Sequence, residues 1–438
     1  MTLKLNVAKL KEKIKDCDDF QIAGKLLSVR DSLTAKLTAS MGEICVITDG
    51  RQNEFLAEVI GVSEETSQLM TFQQTQGLTP GMSVIATNHQ VRTPVGLELI
   101  GRVINAMGKP IDNRGILRVR RRRTFSRQTP VALQRSRVKR VLTTGLRVID
   151  GLLTLGEGQR VGLFAGSGVG KSTLLGEIAR NASSDVNVVA LVGERGREVL
   201  PFIEDCLGEE GLRRSIVVVS TSDESPVMKL QAVRTAITIA EDLRDRGAHV
   251  LMFLDSLTRL AQAQREIGLA RGEVPGLRGY PPSVTSIMAS LLERLGTNER
   301  GAISAIATVL VDGDDLDEPI SDAARSILDG HIVLDRRLAS RGHFPAINVL
   351  ESVSRVFPDV TSQEHQRAAQ SIRNWLSQHE EIVDLVNAGL YQPGTSTEID
   401  QCLQKIPMIN KYLQQNLGET SSGNESLSHL VKLAEGSQ

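Results

Sequence analysis

Residues 163–173 read LFAGSGVGKST: an apolar strand-like run breaks into glycines and resumes as a helix on a Lys-Ser pair. No other stretch of the 438 residues constrains the fold as tightly. Glycine permits a turn this tight, so the backbone N–H groups of Gly166 to Lys171 can face inward around one anion. The helix N-terminus adds a favourable partial charge for phosphate. The whole run Ala165, Gly166, Ser167, Gly168, Val169, Gly170, Lys171, Ser172 and Thr173 is therefore the candidate cradle for ATP. Lys171 would reach the β- and γ-phosphates, Ser172 would ligate Mg²⁺ and Thr173 would touch the α-phosphate. The strict pattern has Gly where Ala165 stands; a methyl group is small enough to be tolerated. Such cradles serve kinases, pumps, helicases and motors alike, so the rest of the chemistry must be sought elsewhere in the chain.

The surrounding texture sets the fold class. From about Gly145 to Val360, β-branched apolar runs such as VNVVALVG, SIVVVSTS, HVLMFLD and AISAIATVLV alternate with amphipathic stretches. These read as strands buried on both faces of a mostly parallel sheet in an α/β domain. Between Phe20 and Ala86 the runs are shorter and separated by turns such as TDGRQN and TPG, which suggests a small closed β-barrel. After Val360 the strand texture gives way to helices, with ETSSGNES as a loop before a last short one. The expected organisation is a 1–19 amphipathic segment, a 20–90 barrel, a 91–360 RecA-like ATPase domain and a 361–438 helical domain. At this length two or three domains are expected.

Two carboxylates extend the cradle. Asp255 closes the apolar strand HVLMFLDS, where an uncompensated charge is costly. Mg²⁺ at the carboxyl edge of the sheet would compensate it; the alternative is a helix N-cap ahead of SLTRLAQAQRE. Glu194, in VVALVGERGREV, follows a strand one step along the chain from the cradle helix. At the same edge as Lys171 it can orient and deprotonate an attacking water. Arg195 beside it is a second catalytic candidate, although Arg195, Arg197 and Glu198 would equally make a surface ion-pair cluster. Arg355 closes NVLESVSRVF and is the candidate arginine of phosphoryl transfer, within its own chain or toward a neighbour. A structural salt bridge is its alternative role.

Composition excludes several classes. Lys+Arg 51 against Asp+Glu 52 leaves a net charge of -1, so no global field holds nucleic acid or an acidic membrane. Aromatics are 3% of the chain, and the barrel region has only Phe20, Phe55 and Phe72, which argues against a stacking platform for single strands. Cys17, Cys45, Cys206 and Cys402 follow no disulfide or zinc spacing, and a reducing cytosol is expected. The N-terminus lacks a signal h-region, and no apolar run reaches the ~18 residues of a spanning helix. Any membrane association is expected to be indirect. RVRRRR (118–123) and RSRVKR (135–140) read as solvated charge, with an acidic partner or nucleic acid as the alternative. Leu3, Val7, Leu10 and Ile14 form a heptad-like stripe, either packed on this chain or docking a partner.

Five segments in order resemble the protein-export ATPases of the bacterial flagellum and of type III secretion, within the rotary-ATPase superfamily. They are TGLRVIDGLLTLGEGQRVGLFAGSGVGKSTLL, GERGREV, REIGLARGEVPGLRGYPPS, VLVDGDDLDEPISDAARSILDGHIVL and RGHFPAINVLESVSRV. The resemblance runs from about residue 20 to 415. It implies a barrel, a RecA-like domain and a helical domain, assembled as a homohexamer that hydrolyses ATP with Mg²⁺. It makes Glu194 the base, Lys171 and Ser172 the phosphate and metal residues, Asp255 part of the metal shell and Arg355 the finger into the adjacent subunit. Phe344 matches an adenine-stacking position, and GLARGEVPGLRGYPPS the loop that grips a central coiled-coil stalk. A stator-like regulator at the N-terminal stripe, an export gate, chaperones and secreted cargo are the implied partners, at a cytoplasmic site beside the inner-membrane apparatus. The flagellar setting is favoured over the virulence one. A rotary synthase subunit and a RecA-fold RNA translocase are the competing readings; the short tail without a DELSEED-like lever disfavours the first and the aromatic poverty the second.

Overall fold

The computed structural model describes residues 22–50, 53–125, 129, 133, 135–311, 313, 315, 317–387, 391–392 and 394–435. The Leu3–Ile14 stripe, Cys17 and Phe20 lie outside the described residues. The chain forms two compact units: one holds residues up to Val91 with Ser225–Val227 and Ile267–Glu273, the other holds the remainder.

The first unit is built on β1 (Ala23–Val29), β2 (Leu33–Lys36), β3 (Ile44–Thr48), β4 (Glu54–Val62), β5 (Ser67–Thr71) and β6 (Ser83–Ala86). They close in the order β1-β2-β5-β4-β3-β6, and β6 returns to β1, so no edge stays open. Alternation fills the interior: Cys45 and Ile47 point inward while Val46 between them is half-exposed. Phe72 is buried and Phe55 is half-buried against the barrel core, so neither stands out as a stacking platform.

The second unit begins with β7 (Arg92–Val95), β8 (Val103–Asn105), β9 (Arg121–Thr124), β10 (Val141–Leu142) and β11 (Leu155–Gly156). It continues with β12 (Arg160–Ala165), β13 (Val186–Glu194), β14 (Ser215–Thr221), β15 (His249–Asp255), β16 (Gly296–Thr297), β17 (Ala302–Leu310), β18 (Gly330–Leu334) and β19 (Ile347–Ser354). The main sheet runs β19-β18-β12-β17-β15-β13-β14-β8, with β16 attached to β17. Strands β12, β13, β14, β15, β17 and β18 are mutually parallel, whereas β19 and β16 are antiparallel edges. Every residue of β15 is buried, as a strand covered on both faces requires.

Helices Lys171–Asn181 and Pro226–Asp245 supply crossover connections of this sheet. Past β19 the chain is helical over Gln363–Asn387, Thr397–Leu413 and Gly423–Glu435. Ile372, Ile406, Ile409 and Leu430 join one hydrophobic core with Val161, Leu163 and Leu175 of the sheet and its first helix. The helical region thus shares the core that supports the cradle. The arginine run after the barrel is more than solvated charge: Arg121–Thr124 is strand β9, paired antiparallel with β7. Short-range periodicity gave no sign of it, because four like charges mask the alternation.

Candidate functional site

The cradle is built as the strand–turn–helix reading expects. β12 ends at Ala165, and the helix starts after Gly170, whose φ of 89° and ψ of 18° are left-handed. Gly168 also has positive φ, 80°, so both bends use conformations that side-chain-bearing residues avoid. Val169 is buried and anchors the loop, while Ser167, Gly168 and Thr173 are exposed and Ser172 is half-buried. Leu174 N donates to Gly170 O at 3.0 Å, closing the first helical turn.

Parallel register brings the other groups to the same edge. Ala165 of β12 lies beside Leu310, Leu254 beside Ala307, and Leu191 beside Asp255. Lys171 Nζ donates to Asp255 Oδ1 and sits 3.6 Å from Glu194 Oε1. One lysine thus bridges two carboxylates in a largely buried cluster, which compensates charges that would be costly alone. Burial pushes the Glu194 carboxyl above the usual range; Lys171 pulls it back and Asp255 raises it further. A raised carboxyl is a stronger proton acceptor, suited to a base. Asp255 carboxylate and Ser172 hydroxyl are hard oxygen donors, the donor type a magnesium ion accepts.

Phe344 stands across the cradle. A Cβ at Gly170 would sit 3.7 Å from its ring, and Phe344 itself is 46% exposed. Both border a cavity of about 1330 Å³ that reaches Tyr412, Gln415 and Leu417 of the helical region. Arg195 does not join the lysine cluster: it pairs with Glu198 at 3.5 Å, and Arg197 approaches the same carboxylate at 3.9 Å, on an exposed surface.

Arg355 lies at the other edge of the sheet. Its N donates to Asp329 O at 3.0 Å, and Asp329 N donates to Arg160 O at 2.8 Å. Arg160 opens the six-residue β12, so about 16 Å of strand separates this end from the cradle. The guanidinium is exposed, with Nη2 donating to Arg325 O at 3.0 Å.

Residues 19–88 match the beta-barrel domain of the ATP synthase alpha/beta family, 145–354 its nucleotide-binding domain, and 361–432 the C-terminal domain of the type III secretion ATPase EscN. The chain is 49% identical to the flagellum-specific ATP synthase of Bacillus subtilis, over 90% of this chain and 91% of that one. It belongs to the flagellum-specific and type III secretion ATPases. The SPI-2 type 3 secretion system ATPase of Salmonella typhimurium is 46% identical over 86% of this chain and 87% of its own length. Among solved structures, the assembled EscN of enteropathogenic E. coli superposes with a TM-score of 0.88 at 38% identity, covering 94% of this chain and all of that one. EscN in complex with its central stalk EscO gives 0.86 at 39% identity, with the same coverage.

This ATPase carries site residues that sequence reasoning passed over. Thr308, in β17 between the cradle strand and β15, donates from Oγ1 to Asp255 Oδ1 at 2.6 Å. Arg259 lies across Gly193, where a Cβ would come within 2.8 Å of the arginine's own Cβ, and its buried Nε has no hydrogen-bond partner. A third group is the loop after Thr397–Leu413. Arg147 donates to Tyr412 O at 3.2 Å and Gln414 O at 2.6 Å and pairs with Glu419. Gln415 Nε2 donates to Gly145 O at 2.8 Å, Gln415 N to Phe344 O at 2.9 Å, and Gly418 N to Glu177 Oε1 at 3.2 Å. Gly193, just before Glu194 in the chain, was a readable signal for the close approach of Arg259. The Arg147 contacts span more than 260 residues, and no local pattern announces them.

Proposed function

We propose that this ATPase energises protein export through a flagellar apparatus, working as a homohexameric ring with its active sites at subunit boundaries. The observation that carries the reading is the position of Arg355: exposed, and about a strand's length from its own cradle. An arginine so placed serves phosphoryl transfer by entering the site of the next subunit. In trans the same residue is worth ~10³ or more in rate.

The residues divide the work as follows. The backbone of Ala165 to Gly170 cradles the phosphates, Lys171 contacts the β- and γ-phosphates, and Phe344 stacks the adenine. Ser172 and Asp255 would hold Mg²⁺, which supplies charge neutralisation on the phosphates. Glu194 orients the attacking water and takes its proton, helped by a carboxyl raised through burial. Arg195, exposed and paired with Glu198, assists the transferred phosphoryl group once released from that partner. A single chain carries lysine, base, metal carboxylate and finger, so six identical copies suffice and no second ATPase subunit is needed.

EscN is known both assembled and in complex with its central stalk EscO, and likeness over nearly the whole chain supports the same arrangement here. Val274 and Leu277, within the stretch matched to the stalk-gripping loop, are 79% and 83% exposed, which suits an apolar grip. We place the protein in the cytoplasm, peripheral to the inner-membrane apparatus, with a regulator on residues 1–19 and with an export gate, chaperones and cargo as partners. No described helix is long and apolar enough to cross a membrane. The 49% identity to the Bacillus subtilis flagellum-specific chain, against 46% to the SPI-2 chain, supports the flagellar setting. Loss of swimming in a deletion strain is the expected result; unchanged motility contradicts that setting.

The test of the shared site is turnover measured against protein concentration with particle mass recorded alongside. Specific activity should rise steeply as rings form. A solitary protomer hydrolysing ATP at the full rate would overturn the reading.

A further inference from the structure

Strand β9 sorts its arginines onto two faces. Successive side chains of a strand point to opposite sides, so Arg121 and Arg123 share one face while Arg122 and Thr124 share the other; Arg120, just before the strand, lines the same hollow as Arg122. The register with β7 sets Arg92 opposite Thr124 and Pro94 opposite Arg122, which adds Arg92 to the second face.

The first face is neutralised by the protein. Arg121 lies 3.5 Å from Asp242, and Arg123 lies 3.5 Å from Asp242 and 3.2 Å from Asp245. Both aspartates belong to the last turn of helix Pro226–Asp245, so these two arginines fasten the ribbon to the ATPase unit. The second face has no such counter-charge. Among the described residues no carboxylate lies within 4.0 Å of Arg92, Arg120 or Arg122, which are all exposed. Arg122 Nη1 donates to Arg92 O at 3.2 Å, which holds its guanidinium against the ribbon.

These side chains enclose space. A concavity of about 620 Å³ is lined by Arg92, Arg120, Arg122 and Thr124 together with the edge of Arg123, whose charge is already met by Asp242 and Asp245; none of these residues borders the nucleotide cavity. Three guanidinia converging on one hollow repel each other unless an anion lies between them. Planar guanidinium forks match phosphate oxygens in pairs, and a threonine hydroxyl adds a donor. Among the described residues the lining has no aromatic or aliphatic side chain that would receive a nucleobase or the apolar residues of a peptide. Recognition there is by charge and hydrogen bonding alone.

We propose that this concavity binds a condensed phosphate, either an inorganic polyphosphate chain or the polyphosphate arm of a nucleotide, at a site separate from the cradle. The test uses the full chain with its cradle saturated by Mg²⁺ and a non-hydrolysable ATP analogue, titrated calorimetrically with inorganic tripolyphosphate at low salt. One equivalent should bind, and its affinity should fall as salt rises. The Arg120→Gln/Arg122→Gln variant should bind about tenfold or more weakly, with basal ATP turnover unchanged. Arg121→Gln removes a charge from the same strand on the opposite face and should leave tripolyphosphate affinity unaltered. A second arm repeats the titration with excess analogue alone: a further bound equivalent assigns the site to nucleotide, and its absence to the inorganic chain. Equal loss in the Arg121→Gln variant, or no tripolyphosphate binding beyond the saturated cradle, overturns the proposal. So does retention of duplex DNA or anionic vesicles by a protein that ignores tripolyphosphate, which would assign the face to a macromolecule.

Discussion

Consider two inactive proteins mixed in equal amounts, one carrying Arg355→Ala and the other Lys171→Ala. The structure fixes what should happen. Within one chain, the backbone path from Arg355 through Asp329 to Arg160 ends at the start of β12, and Lys171 lies beyond its far end. The separation of about 16 Å along the strand is more than an arginine side chain spans. The two residues therefore cannot meet at one phosphate unless they come from different subunits. Alone, the Lys171→Ala ring has no site that grips the phosphates, and the Arg355→Ala ring should be slower by ~10³ or more. In a randomly mixed ring of identical interfaces, a site works when its cradle comes from the Arg355→Ala protein and its finger from the other. Two independent halves give about one site in four, so recovery should approach a quarter of the wild-type rate if sites fire independently. Recovery below that measures how far the sites depend on sequential firing. The assay is steady-state phosphate release after co-assembly, with mass measurements proving that the rings are mixed. Mixed rings with no gain over either parent would refute the shared-site geometry and leave Arg355 in a structural role.

Glu194→Gln should keep nucleotide affinity within a few-fold and lower kcat by about 10²–10⁴, read by equilibrium binding beside turnover; normal turnover removes the base assignment. Because burial raises this carboxyl and the working form is deprotonated, kcat should fall on acidification through a pKa above the ~4.3 of an ordinary glutamate, and the acid limb should vanish in the Gln variant. Thr308→Val keeps shape but removes the 2.6 Å donor from a buried carboxylate, costing about 1.5–3 kcal/mol in urea unfolding and raising the Mg²⁺ concentration needed for half-maximal turnover; an unchanged Mg²⁺ requirement argues against a positioning role. Gly151→Ala places a methyl 2.1 Å from Tyr412 Oη, which donates to Arg147 O and Ser426 O, and should destabilise by about 1–3 kcal/mol. An unfolding midpoint equal to wild type would mean that the helical region yields without cost.

What the sequence disclosed and what it hid differ by the range of the forces involved. The cradle was legible because one contiguous stretch carries strand, glycines, lysine and helix start. Asp255 and Glu194 were legible because each ends an apolar run, and a charge placed there needs a partner at the carboxyl edge of a sheet. Their meeting at Lys171 followed from parallel strand order alone. Thr308 was hidden because it is one polar residue inside AISAIATVLV, where a buried threonine satisfying its own backbone looks the same until the neighbouring strand is known. The arginine ribbon was hidden for the opposite reason: its charge is conspicuous, but the sorting into a paired and an unpaired face depends on β7 and on a helix more than a hundred residues away. Arg195 kept both of its sequence alternatives, since in the single chain it stands with Glu198 and awaits a boundary to decide its role.

The same distinction explains how binding at the cradle can be felt in the helical region. Glu177 belongs to the helix that begins at Lys171, and it accepts from Gly418 N; Gln415, three residues earlier, donates to Phe344 O on the other side of the cavity. The loop 414–419 is thus tied both to the helix that begins at Lys171 and to Phe344, while Arg147 clamps its base through Tyr412 and Gln414. A nucleotide that shifts Phe344 relative to the cradle by even a fraction of an ångström must stretch or rebuild hydrogen bonds near 3 Å, whose strength falls steeply with distance and angle. Packed segments of this kind respond by moving together, because the shared core of Ile406, Ile409 and Leu175 is too dense to deform piecemeal. Motion of the C-terminal helices during turnover then needs no separate lever in their own sequence. Cutting the tie at Arg147 while leaving the cradle intact should therefore preserve single-site hydrolysis and uncouple it from export, an outcome separable by measuring ATP consumed per unit of secreted cargo.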